Sequence, residues 1–257
     1  MSARSAIRSG PATRAAKLLL DARRSGHRLR ALPDDVRPRS AAEAYEVQDA
    51  VLSEIGVVGG WKVGARSSAA EPTCAPLPAV LILRSPQHFP PGAFALNGVE
   101  AELAFTLARD LPPRNAPYTE AEMPAAVASL HPAIEVVDSR FVDIVATDAW
   151  SLLADFQSNG ALVLGAGVAL PAAFAPGDQA VHLAVDGVEL VAARGSNPAG
   201  SLTRLLAWLA NHAAARCGGL RRGEVVTTGS WTGMRFFPAG THVTVDFPGI
   251  GGVDLGF

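Results

Sequence analysis

The stretch GVEAELAF, residues 98–105, alternates strictly. Val99, Ala101, Leu103 and Phe105 share one parity, and Glu100, Glu102, Ala104 and Thr106 share the other. Period-two alternation reads as a β-strand with its two faces sorted. Glu100 and Glu102 then lie on one face, with Cα atoms roughly 6.5–7 Å apart. Two unit charges at that separation repel by about 2.4 kcal/mol at an effective dielectric of roughly 20. A solvated face would screen the repulsion. Here the rest of the face is Ala104, Thr106 and Ala108, small rather than polar. A partly enclosed carboxylate pair calls for a cation.

A third carboxylate stands in HPAIEVVDSRF, where Glu135 is the one charge in the apolar run 133–137. Such a charge is costly unless paired or metal-bound. A buried salt bridge to an arginine such as Arg140 would satisfy it; so would a metal shared with the first two. Glu100, Glu102 and Glu135 together make a hard, all-oxygen site of the kind that suits Mg²⁺ or Mn²⁺. The six histidines are scattered, and no Cys/His cluster has zinc spacing. His131 and His212 read as structural, and Trp208 and Leu209 as core.

Basic residues point to one further position. Of the 22, only Lys17 and Lys62 are lysines. A lysine that survives such a bias toward arginine is there for its compact ammonium. Lys17 sits on a helical surface pattern; Lys62 sits in GGWKVGA, between glycines and apolar residues.

The chain as a whole is 49% hydrophobic with a net charge of −2, which supports a real core and excludes a global field for nucleic acid or anionic membrane. No apolar run reaches transmembrane length. Two unpatterned cysteines, Cys74 and Cys217, fit a reduced, cytoplasmic setting. Residues 1–40 carry ten Arg/Lys against three Asp/Glu. This Arg- and Ser-rich start reads as a surface helix, with an organelle transit peptide as the alternative.

Along the chain, helical patterns come first. Residues 11–26 are amphipathic and end at Gly26; residues 40–55 open with a capping box of Ser40 and Glu43. Residues 71–94 are proline-rich and read as a loop with one short strand at 79–83. Strands then dominate: 99–107, 132–137, 160–166, 180–185, 188–193, 224–228 and 242–247, with a hairpin turn at Asp186-Gly187. Helices interrupt after Thr119, boxed by Glu122, and at 201–216, stopped by Gly218-Gly219. The pattern is α+β: a helical portion over 1–60, then a strand-rich body over 61–257.

Several stretches jointly resemble the fumarylacetoacetase superfamily, in its branch of 2-keto-4-pentenoate hydratases and 4-oxalocrotonate decarboxylases. They are AYEVQDAV, GWKVG, VEAELAF, PAIEVVDSRF, ADFQSNGALVLG, GSLTRLLAWLAN, GEVVTTGSWTG and AGTHVTVDFPGIGGVDLGF, in the family's order. The resemblance implies N-terminal helices followed by a mixed β-sheet roll, a homo-oligomer, and a divalent metal on three acids: Glu100, Glu102 and Glu135. It implies catalytic roles for Lys62, Asp155 and Ser158, and a substrate-binding turn at Thr228, Gly229 and Ser230. Without the family, the glycines and hydroxyls of TTGSWTG still make a backbone nest suited to an anion.

Three departures stand out. Phe156 replaces the family's usual asparagine after the aspartate, and Gly200 replaces an asparagine before the serine and leucine of the helix start. The segment after the lysine is shortened, leaving Glu71 as its one acid. The implied substrate is a 2-oxo or 2-hydroxydienoic acid, with no nucleic acid or membrane partner, and the implied reaction is hydration to a 4-hydroxy-2-oxo acid in aromatic-compound degradation. Oxalocrotonate decarboxylation and acylpyruvate C–C hydrolysis are the related alternatives, although the hydrolases' paired Arg-Asp before Gln is absent. An inactive, metal-binding partner subunit is the alternative of a different class.

Overall fold

The computed structural model describes residues 10–172 and 174–257. Residues 1–9 of the basic stretch 1–40 lie outside the described residues, while its remainder includes a helix over Pro11–Ser25. The chain divides into two units. One comprises the described residues up to Ile55 together with Ser139–Ser158; the other comprises Gly56–Asp138 and Asn159–Phe257.

The first unit is helical. α1 (Pro11–Ser25) starts with proline in its first turn and stops where Gly26 takes a left-handed conformation. It buries Ala15, Ala16, Leu19 and Leu20 and leaves Lys17 outside, paired with Asp21 at 2.6 Å. α2 (Ala41–Ile55) is capped by Ser40, whose Oγ accepts from the Glu43 N–H. Glu43 reaches back to the N–H of Arg39, one residue further than in a standard box. α3 (Ala149–Ala154), six residues capped by Asp148, was not foreseen in the sequence. Gln48 of α2 donates to the carbonyl of Leu153 at 2.6 Å.

The second unit holds the sheets. Its first strands are β1 (Val58–Gly64), β2 (Thr73–Pro78), β3 (Ile82–Arg84) and β4 (Gln87–His88). They are followed by β5 (Gly98–Leu107), β6 (Val127–Val137), β7 (Asn159–Leu164), β8 (Ala180–Val185) and β9 (Val188–Arg194). After the helix α4 (Leu202–Cys217) come β10 (Val225–Ser230), β11 (Arg235–Phe236), β12 (His242–Phe247) and β13 (Gly251–Gly256). One mixed sheet runs β2-β1-β10-β5-β6-β7-β3, with β11 pairing the start of β5. A second runs β4-β13-β12-β8-β9. Asp186 and Gly187 both have positive φ, as the hairpin turn requires. The helix expected after Thr119 is two short 3-10 turns, although the Thr119–Glu122 box is present in full. The proline-rich segment read as a loop holds a further strand, β2 at Thr73–Pro78, and the short strand expected at 79–83 is a 3-10 turn at Ala79–Leu81 running into β3. β2 forms a sheet edge, the place where a residue lacking an N–H is tolerated.

One face of the mixed sheet matters most. Residues Leu77, Ala104, Ala133, Leu162, Leu164 and Val225 pack there as a buried apolar cluster, joined by Ile82. Register places Glu102 beside Ala104 along β5, and Glu135 beside Ala133 along β6. The apolar cluster therefore flanks the carboxylates on the same face.

Candidate metal centre

Register brings the third glutamate to the first two. Glu100 on β5 stands directly opposite Glu135 on β6, and Glu102 lies one pleat further along the same face. One carboxylate oxygen from each lies within 4.8 Å of the others. Glu102 and Glu135 are buried and Glu100 is half-buried.

Each carboxylate is held by named donors. Lys62 on β1 donates from Nζ to Glu135 Oε1 at 2.5 Å, and Asn159 at the start of β7 donates from Nδ2 to the same oxygen at 2.9 Å. The Glu135 partner is thus Lys62 rather than Arg140. Glu102 Oε2 accepts from the Thr227 hydroxyl and from the Gly229 N–H. Gly229 has φ 88°, a conformation costly for any residue with a Cβ. The Ser230 hydroxyl donates to Glu100. Asn197 donates from Nδ2 to the carbonyls of Thr228 and Gly229, at 3.0 and 3.1 Å, and so braces this turn from behind.

Burial and mutual repulsion govern the charges. Burial, then Glu135, pushes Glu100 up to about 7, with Lys62 and Ser230 pulling the other way. Burial, then Glu135 and Glu100, pushes Glu102 up to about 8. Burial alone would lower Lys62; the three carboxylates, Glu135 foremost, outweigh it and hold the ammonium above the ordinary lysine range. Carboxylates this reluctant to ionise are poised to exchange protons for a cation.

A divalent ion fits these residues. Glu135 Oε2 is buried and lacks a hydrogen-bond partner among the described residues, an expensive state for a carboxylate oxygen. Glu135 is one of the three glutamates that each place a carboxylate oxygen within 4.8 Å of the others. The donor set is entirely oxygen, as Mg²⁺, Mn²⁺ and Ca²⁺ prefer.

The remaining sequence candidates fall in several places. Thr228 turns its hydroxyl to the Leu103 carbonyl at 2.8 Å, so it pins β10 to β5. Gly229 and Ser230, expected to bind substrate, spend an N–H and a hydroxyl on the glutamates. Asp155 belongs to the helical unit: its carboxylate accepts from Ser139 Oγ, the Arg140 N–H and Arg140 Nε. Ser158, in the same unit, closes a turn by donating its N–H to the Asp155 carbonyl at 2.9 Å. Phe156, Gln157 and Ser158 all have positive φ, which is strained backbone. Glu71 accepts from Trp208 Nε1 at 2.6 Å, so the shortened segment is tied to α4. His131 is structural in its bonding: Nδ1–H donates to Gly165 O, and Nε2 accepts from Ser129 and Thr106.

Asn159, Thr227 and Asn197 were missed in the sequence. Asn159 carried a signal, as an amide opening an otherwise apolar strand that is followed by Gly-Ala-Leu-Val-Leu. Asn197 carried none, because its bracing role depends on a loop folding back on β10.

Residues 66–255 match the family described as fumarylacetoacetate (FAA) hydrolase C-terminal. The chain is 30% identical to a 2-keto-4-pentenoate hydratase of Burkholderia vietnamiensis, over 93% of this chain and 94% of that one. It is 28% identical to a protein named TodF product hydratase of Pseudomonas putida, over 100% of this chain and 99% of that one. Among solved structures, 4-oxalocrotonate decarboxylase from Pseudomonas putida G7, complexed with magnesium and adipate, superposes with a TM-score of 0.85. That likeness covers 96% of this chain and 97% of that one at 22% identity, and it concerns the fold.

Proposed function

The chain belongs to the fumarylacetoacetate hydrolase family, and from that premise we propose that it is a divalent-metal-dependent hydratase of 2-hydroxy-2,4-dienoates. Its product is the 4-hydroxy-2-oxo acid, formed in aromatic-compound degradation, and it works as a cytoplasmic homo-oligomer. The reading is carried by one observation: three convergent glutamates with a lysine among them, in a chain about 30% identical along its length to a hydratase. No helix among the described residues is long and apolar enough to cross a membrane.

Glu100, Glu102 and Glu135 would hold Mg²⁺ or Mn²⁺. When bound, such an ion supplies Lewis-acid chemistry, polarising the oxygen of a 2-oxo acid and favouring its enolate. The residues around it prepare that setting. Lys62 and Asn159 fix Oε1 of Glu135, and Oε2 is left buried with no hydrogen-bond partner among the described residues. Thr227 and Gly229 fix Glu102, and Ser230 fixes Glu100. Preorganised groups of this kind avoid reorganisation during reaction. The Lys62 ammonium, next to the glutamates, also suits an anionic substrate and can carry a proton toward it. Buried Leu162, Leu164 and Ala133 flank the glutamates on the same face and keep water from that flank.

We assign Asp155 a positioning role, since its carboxylate is committed to Ser139 and Arg140. Ser158 directly precedes Asn159 in the chain and remains a proposed member of the catalytic set. The reading is tested by mixing the protein and Mg²⁺ with 2-hydroxypenta-2,4-dienoate. Ultraviolet absorbance of the diene should fall, and the product mass should exceed the substrate's by one water. Loss of carbon dioxide from an oxalocrotonate, with no hydration, would replace this reading by the decarboxylase.

A further inference from the structure

The three carboxylates differ in exposure, and the difference gives the site a direction. Glu102 and Glu135 are 1% and 0% exposed, whereas Glu100 is half-buried. Beyond Glu102 the next residue on that face is the buried Ala104, while Ala133 and Leu164 stand level with Glu102 and Leu162 stands beside Glu135. Beyond Glu100 the next residue on that face is Gly98, which has no side chain. Opposite Gly98 stand Phe236 on β11 and Val137 on β6. A Cβ at Gly98 would lie 2.8 Å from Val137 Cβ and 3.1 Å from Phe236 Cε1. Both side chains therefore occupy the carboxylate face, over the gap the glycine leaves. Phe236 is 50% exposed, a large aromatic kept half in water at the open end of a charged site.

Arg235 pairs with Val99, so it belongs to the opposite face of β5. Lys62 is engaged by Glu135. Two residues of strand span roughly 6.5–7 Å, about the reach of a short carbon chain from the end that chelates a metal.

We propose that Phe236, standing over Gly98 with the buried Val137 behind it, forms an apolar subsite for the distal end of the substrate, so that the enzyme selects 2-hydroxydienoates with an alkyl or aryl tail over those with a second carboxylate. The proposal rests on the hydratase reading for the reacting end of the molecule. It makes Phe236 a specificity-determining residue.

Binding of non-reacting analogues tests it apart from turnover. Calorimetry on the full chain with Mg²⁺ would compare 2-oxobutanoate, 2-oxohexanoate, 2-oxooctanoate and 2-oxohexanedioate. Affinity should rise about two- to fourfold per methylene along the monoacids, and the dioate should bind more weakly than 2-oxohexanoate. Phe236→Ala should compress the ratio between the longest and shortest monoacids, and Phe236→Leu should retain most of it. Phe236→Arg should favour the dioate. A flat series in the wild type, or a ratio unchanged by Phe236→Ala, would overturn the subsite. So would a dioate preference abolished by Arg66→Ala, because Arg66 is exposed just beyond β1. If the series holds while no dienoate is hydrated, the subsite stands and the hydratase reading fails. Hydration with a flat series means the reverse.

Discussion

Replacing Glu102 with glutamine separates a metal ligand from a structural acceptor, because the two roles predict opposite signs for stability. Glutamine keeps an oxygen for the Gly229 N–H and the Thr227 hydroxyl. What it removes is charge. The glutamate oxygens lie within 4.8 Å of one another, so each like-charge pair costs about 3.5 kcal/mol at an effective dielectric of roughly 20. Glu102 faces two such neighbours, and Lys62 opposes part of the sum. A net relief of about 3 kcal/mol is a reasonable scale. The pH window follows from the direction of the shift. Glu102 has its pKa raised from 4.5 to about 8 by burial and then by Glu135 and Glu100. A raised folded-state pKa gives stability that is complete below the unfolded value and lost as pH climbs through the folded value. Metal-free wild type therefore carries the full cost only above about pH 8, while the glutamine variant cannot ionise. By thermal melting at about pH 9 without divalent ions, Glu102→Gln should melt about 6–12 °C above wild type, from a scale of about 2–4 °C per kcal/mol. At about pH 4.5 the gap should close. Saturating Mg²⁺ should invert the order at high pH, raising wild type and leaving the variant nearly unmoved. A variant less stable than wild type at high pH, with Mg²⁺ shifting neither, would show that Glu102 serves only as a hydrogen-bond acceptor and that the metal assignment is wrong.

Four further outcomes follow from particular contacts. Lys62→Arg should lose most hydration activity despite keeping the charge, because a planar fork cannot replace a compact ammonium at 2.5 Å from Glu135; steady-state kinetics would show it. Lys62→Met should in addition destabilise by about 3–5 kcal/mol in denaturant titration at neutral pH, by stranding a buried carboxylate. Asp155→Ala should cost a similar amount, about 3–5 kcal/mol, since Arg140 is 4% exposed and loses its partner. Phe156→Asn should destabilise by about 2–4 kcal/mol in denaturant titration, because the fully buried ring is worth more than the relief of about 1 kcal/mol from the positive φ that asparagine tolerates; a variant as stable as wild type would mean that the backbone strain outweighs the packing.

The parts of the fold that local pattern controls were legible in the sequence. Gly26 and Gly218 stop α1 and α4 in left-handed conformations, and Ser201 caps α4 by accepting from the Arg204 N–H. Alternation gave the faces of β5 correctly. Composition misled at β2, where Pro76 and Pro78 suggested a loop, because sheet position rather than propensity decides whether a proline is tolerated. α3 is too short for its periodicity to register, and Gly251-Gly252 disguised the start of β13. Grouping of 139–158 with the N-terminal helices depends on long-range contacts such as Gln48 to Leu153, which no local signal announces.

The site divides along the same line. Parity put Glu100 and Glu102 together, and the apolar flanks of Glu135 marked it as needing a partner. The pairing of Glu100 with Glu135 is a matter of register, and a pleated pattern does not specify register between strands far apart in the chain. The rarity of lysine singled out Lys62, now seen on Glu135. Thr227 escaped notice because one residue of offset separates it from the turn that was recognised, and that offset decides which hydroxyl meets Glu102.

Metal-stripped protein, reloaded or not with Mg²⁺ and supplied with 2-hydroxypenta-2,4-dienoate, offers the most direct measurement, with product mass as the readout. The expected result is a product heavier by one water that forms with Mg²⁺, is absent without it, and is absent for Glu135→Gln under both conditions. Hydration at full rate by the stripped protein, or no heavier product from a folded, Mg²⁺-binding wild type, would contradict a hydratase built on Glu100, Glu102 and Glu135.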